Sequence, residues 1–190
     1  MQLSIKSRLI VTIVFLASVL IVIGAKGNFA LSDVNNSLKT VYEDRVVPLQ
    51  QLKIISDHYA VSVTDAVNKA NAGLTSSQEA LVLVEKAAQE IETEWGKYMS
   101  TTLTPDEKVL AQQAQALFTP ANQAVTELVS FLKQHPGDLQ GQLSAFDGPL
   151  YTTIDPIGSK IGELINLQLA VAKTEYATAQ QTYIFVRNSS

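Results

Sequence analysis

Two short runs of this chain carry most of the side chains suited to holding a small molecule: Tyr59, Ser62, Asp65 and Lys69 in one, Tyr151, Thr152, Thr153 and Asp155 in the other. Spacings of three and four put the first set on one side of a helix. The second set lies among Gly148, Pro149, Pro156 and Gly158, residue types that disturb a helix and free backbone donors. Tyrosine and threonine hydroxyls, a lysine ammonium and aromatic walls together suit a small organic acid. Each residue also has an ordinary structural use. Tyr59 serves as core, Lys69 as a solvated cation near a helix C-terminus, and Asp155 as the cap of a restarted helix.

Catalysis has far less beneath it. The two histidines, His58 and His135, lack the spacing of a zinc site, and there is no cysteine to supply a thiolate, a disulfide or a metal ligand. Glu90, Glu92 and Glu94 alternate around a helix, and Asp106 and Glu107 fall in a first turn where acids oppose the helix dipole, so solvated faces account for both groups. No phosphate-binding glycine loop or nucleophile elbow is present. The expectation is no catalytic residue, no metal and no cofactor. A net charge of −4 carries no basic footprint and argues against nucleic acid as a partner.

The elements that position the two runs read as helices throughout, in a composition rich in Ala, Gln, Leu and Val. Helix one is expected over 31–72, kinked at Pro48 and stopped by Gly73. Ser76 with Glu79 makes a capping box for helix two, whose stripe is Leu81, Val84, Ala88, Ile91, Trp95 and Tyr98 and which ends near Ser100. Thr104, Pro105 and Glu107 open helix three, with the stripe Leu110, Ala114, Leu117, Ala121, Ala124, Leu128 and Phe131, stopping at His135-Pro136-Gly137. Helix four is expected over 139–186, with Leu150, Ile157, Ile161, Leu164 and Val171 on one side and a bend or break at 148–158. Short connections then dictate an all-α, antiparallel up-down-up-down four-helix bundle. The middle helices span roughly 38 and 45 Å and the outer two more than about 60 Å, so the long pair overhangs at one end.

Ahead of the bundle, residues 9–25 carry no charge and lie between Lys6/Arg8 and Lys26. A transmembrane helix over 9–29, continuous with helix one, fits the length that spans a bilayer. The flanking cations place 1–8 in the cytoplasm and 30–187 outside as one sensor-sized domain, with 188–190 starting a second span. The rival is a cleavable signal peptide, for which no convincing small-x-small site follows Ala25. Helix one also carries a second stripe, Val47, Gln51, Ile54, His58, Val61, Asp65 and Asn68, opposite its core series of Leu49, Leu52, Ser56, Tyr59, Val63, Ala66 and Ala70. Two heptad faces suit two neighbours, so Val47, Gln51, Ile54, His58 and Val61 are read as a homodimer interface. A mixed solvated face is the alternative.

Three segments add a resemblance: 42–49 (YEDRVVPL), 95–98 (WGKY) followed by 103–107 (LTPDE), and 150–156 (LYTTIDP) with Lys160, Glu163-Leu164 and 167–169 (LQL). With the helix pattern, they resemble the four-helix-bundle sensor domains of bacterial methyl-accepting chemotaxis proteins. The resemblance implies a periplasmic, homodimeric sensor in the inner membrane whose downstream cytoplasmic signalling domain is absent from this chain. Aspartate receptors of that family hold ligand with arginines on the distal part of helix one, whereas this chain has only Arg8, Arg45 and Arg187, so that clamp is not implied. Thr152 or Thr153 matches the family's helix-four threonine by position. Relatives similar in the Leu-Tyr and Asp-Pro segment sense citric-cycle or aromatic carboxylates, which implies an organic-acid ligand and a helix displacement across the membrane. The alternative is a ligand-free module of a sensor kinase or cyclase that dimerises or docks a binding protein.

Overall fold

The computed structural model describes residues 5–188. Regular structure among them is helical: α1 (Ile5–Val41), a π-helical turn (Tyr42–Val46), α2 (Val47–Asp57), a second π-helical turn (His58–Asp65), α3 (Ala66–Asn71), α4 (Ser77–Met99), α5 (Pro105–Gln134) and α6 (Ser144–Asn188). The chain divides into two compact units between Tyr42 and Glu43. Residues 1–4 and 189–190, on which parts of the cytoplasmic and second-span expectations fall, lie outside the described residues.

In the first unit, Ile5–Phe29 forms 25 residues of helix with mean hydropathy 2.6 and none of its most apolar window buried. It is long and apolar enough to cross a membrane.

In the second unit, residues 43–46 of the first π turn, α2, the second π turn and α3 follow one another as one continuous rod, called rod one below. Rod one packs on α4 and α6, α4 on α5, and α5 on α6, the closed ring of neighbours of an up-down-up-down bundle. Both capping boxes are present. The Ser76 hydroxyl accepts from the Glu79 amide while Glu79 accepts from the Ser76 amide at 2.8 Å, and Thr104 and Glu107 repeat the exchange. At the distal end, Gly73 takes φ +72°, and a Cβ there would press on Gln140 at 3.2 Å. Asn71 then ties in the 135–143 connection, its carbonyl accepting from Gly141 N and its side-chain oxygen from Leu143 N.

Three expectations are corrected. In α5 the buried row is Glu107, Ala111, Ala114, Phe118, Ala121, Val125, Leu128 and Leu132. Leu110, Leu117, Ala124 and Phe131 are half-buried flanks. The expected stripe shares Ala114, Ala121 and Leu128 with this row and lies one residue off it at its other four positions. Helix four starts at Ser144 rather than at 139, and of the bend or break expected at 148–158 there is no break, the helix running on through Pro149 and Pro156. Both prolines sit on the exposed face, where water can solvate the carbonyls they leave without a donor. In rod one, Ile55 and Val67 join Leu52, Tyr59, Val63, Ala66 and Ala70 inside, while Leu49 and Ser56 are half-buried. Across the second π turn the core advances in steps of four, from Ile55 to Tyr59 to Val63, and the Thr64 hydroxyl spans the turn by donating to the Tyr59 carbonyl at 3.0 Å.

Candidate functional site

A cleft of about 490 Å³ opens between rod one and α6. Rod one contributes Ser56, Tyr59, Ala60, Thr64, Asp65 and Asn68, and α6 contributes Tyr151, Ile154, Asp155, Gly158 and Ser159. Small residues recur at steps of four on rod one (Ser56, Ala60, Thr64) and meet Gly158 and Ser159 across the gap, so the two backbones are joined there by little side-chain volume.

Tyr59 is buried, packs its ring 6.1 Å from Phe118 and donates its hydroxyl to Asn122 Oδ1 at 3.4 Å. Burial pushes its pKa upward, so it stays neutral. Tyr151, 41% exposed, stands at the mouth, and its hydroxyl accepts from Asn68 Nδ2 at 3.2 Å, a bridge from α6 to rod one. Asp65 pairs with Lys69 at 2.7 Å. The lining therefore holds two carboxylates, Asp65 and Asp155, and no lysine or arginine among its described members.

Of the eight residues expected to bind ligand, Tyr59, Asp65, Tyr151 and Asp155 come together here. Lys69 reaches the cleft only through Asp65. Ser62 turns to His58, whose Nδ1 lies 3.1 Å from its hydroxyl. Thr152 and Thr153 donate their hydroxyls back to the Gly148 and Pro149 carbonyls at 2.6 and 3.0 Å. Ser56, Thr64, Asn68 and Ser159 were missed, although the four-residue repeat of small polar side chains from Ser56 to Asn68 was visible in the sequence. On the expected dimer face, Gln51 is buried inside the single chain, Val47, Ile54 and His58 are half-buried, and Val61 is exposed. His58 Nε2 lies 2.5 Å from Glu90.

A second polar group sits at the proximal end of the bundle, where the 100–104 connection lies. Arg45, 6% exposed, reaches from the first π turn to Glu175 on α6, with Nε and Nη2 donating to its two oxygens at 3.1 and 2.7 Å. Glu107, read from the sequence as a solvated first-turn acid, is fully buried, and its Oε1 lies 4.0 Å from Arg45 Nη1. Its side chain reaches back over the capping box, which turns it into the core row of α5. Beside it, Tyr98 has its pKa pushed up to about 12, chiefly by burial and further by the Glu107 charge.

The second unit is a ring of four antiparallel rods with a cleft between its first and last, and an apolar helix precedes it in the sequence. The chain belongs to the family of four helix bundle sensory modules for signal transduction, whose pattern matches residues 2–183. It is 30% identical over 182 residues to the methyl-accepting chemotaxis protein NahY of Pseudomonas putida, a match that takes in 96% of this chain and 34% of that protein. The chain thus spans about a third of that relative's length. The fold is also that of the periplasmic sensor domain of a sensor histidine kinase, with a TM-score of 0.57 at 14% identity over 70% of this chain and 88% of that one.

Proposed function

We propose that this chain is the ligand-binding module of a membrane-anchored chemotaxis receptor, with α1 crossing the inner membrane, the bundle in the periplasm and a cytoplasmic signalling domain further along the protein. The carrying observation is that the cleft lies between rod one and α6, the two rods that meet again at Arg45 and Glu175. A ligand that wedges between them displaces α6 against rod one, and it signals to the extent that its affinity differs between the two arrangements. Tyr59, Asp65, Tyr151 and Asp155 contact the ligand, and Lys69 acts through Asp65. Val47, Ile54, His58 and Val61 form the homodimer face, from which Gln51 is withdrawn. No catalytic group, metal or cofactor belongs to this reading.

The ligand class follows from the family resemblance as a small organic acid, with Lys69, paired to Asp65 of the lining, as its cation. One observation favours a second class. Asp65 and Asp155 in the lining, beside two tyrosine rings, complement an amine better than a carboxylate. A thermal-shift screen of organic acids and organic amines decides between them, because a specific ligand at 100 times its dissociation constant adds roughly 2.7 kcal/mol. Tyr151→Ala abolishes that gain with helical content unchanged. A stabilising ligand indifferent to Tyr151→Ala and Asp155→Asn eliminates the cleft as the site. Failure of both ligand classes, with the protein dimeric, leaves the ligand-free docking module.

A further inference from the structure

One buried cation at the proximal end faces two carboxylates on different helices. Arg45 forks onto Glu175 of α6, and its Nη1 donates to the Asp44 carbonyl at 2.9 Å. Glu107 of α5 waits 4.0 Å from Nη1, with Oε2 taken by the Thr104 amide and Oε1 without a hydrogen-bond partner. The two acceptors differ in what happens when Arg45 leaves them. Glu175 has a side chain 42% exposed, so water takes over its charge cheaply, whereas Glu107 is 0% exposed and an open acceptor there is costly. Two turns before Glu175, Gln168 is fully buried and faces the Tyr98 hydroxyl. The observed placement of α6 thus satisfies Glu175, the acceptor that needs it least, and leaves Glu107 Oε1 open.

We infer that Arg45 is a two-position latch: it forks onto Glu175 in the arrangement seen and passes to Glu107 Oε1 when α6 shifts against α5. The transfer exchanges one charged hydrogen-bond partner for another, so whatever shifts α6 need supply only the difference between the two arrangements. It depends on the sensor reading only for what moves α6. A helix displacement of an ångström or so, otherwise a continuous quantity, becomes a choice between two ion pairs.

The full chain in lipid nanodiscs, labelled with ¹⁵N-arginine, tests this directly, because it contains only three arginines and Arg45 is the buried one among the residues whose exposure is described. With both carboxylates competent, Glu175→Gln and Glu107→Gln each keep the Arg45 Nε–H exchange rate within about tenfold of the parent. The double variant raises it more than about a hundredfold, because an unpaired buried charge costs about 3–5 kcal/mol and 1.4 kcal/mol is tenfold. Loss of protection in Glu175→Gln equal to that in the double variant overturns the latch. A measurement needing no double variant stands beside it. Relaxation dispersion at Arg45 Nε in the parent chain, quenched in Glu107→Gln, supports two positions, and a dispersion-free signal identical in both overturns them.

Discussion

Rod one and α6 touch at two levels, and the two contacts are built on opposite plans. At the cleft, small side chains face each other, and the polar bridge is one hydrogen bond between the largely exposed Asn68 and Tyr151. At the proximal end, a guanidinium 6% exposed holds a carboxylate with two charged hydrogen bonds and has a second carboxylate in reserve. Weak joining costs little to rearrange, which suits the place where a ligand enters. Charged, desolvated joining is discrete, because a partly broken buried ion pair is worse than either intact one. Compliance at one level and discreteness at the other is what a module needs if a small wedge is to yield a definite output.

The largest effect that can break this contrast is at Arg45. Arg45→Met leaves Glu107 buried without a counter-charge, and the expected loss is about 3–5 kcal/mol, read as a lowered denaturation midpoint in urea. A loss below about 1 kcal/mol, the size of an exposed ion pair, would place the proximal contact in water and erase the difference between the two levels.

A medium effect separates the levels by pH. Tyr98 carries a pKa raised from 10 to about 12 by burial first and Glu107 second, so the folded state holds the proton more tightly than the unfolded chain does. Its stabilising contribution is whole below pH 10 and is lost as pH climbs toward 12. The expected outcome is a thermal midpoint that falls across that window and falls less in Tyr98→Phe. A midpoint that falls as steeply in Tyr98→Phe assigns the alkaline loss to another group.

What the sequence disclosed about these two levels follows the range of the interactions. The caps at Ser76 and Thr104 were legible because each closes within four residues and depends on side-chain type alone. The four rods and their order were legible for the same reason, helix periodicity being local. The π turn at His58–Asp65 was not, since no residue type in it specifies i→i+5 bonding, and within it Ser62 faces His58 while Tyr59 and Asp65 line the cleft. Thr152 and Thr153 had been read as free hydroxyls beside broken helix, and with α6 unbroken they bond its own carbonyls. The Arg45–Glu175 pair joins residues 130 apart, a separation at which one sequence offers no register to test.

The smallest effect is the sharpest check on the cleft. Tyr151→Phe keeps the ring and deletes the acceptor for Asn68, and because both groups are exposed, water replaces the bond. The expected cost to stability is within about 0.5 kcal/mol, an order below Arg45→Met. Ligand affinity is the quantity that moves if the hydroxyl faces the ligand, whereas an unchanged affinity together with the loss caused by Tyr151→Ala assigns the contact to the ring. Should Tyr151→Phe destabilise the fold by 1–3 kcal/mol, the scale of an unsatisfied buried group, the bridge would be a desolvated strut. Rod one and α6 would then be clamped at both levels, with no compliant place for a ligand to act.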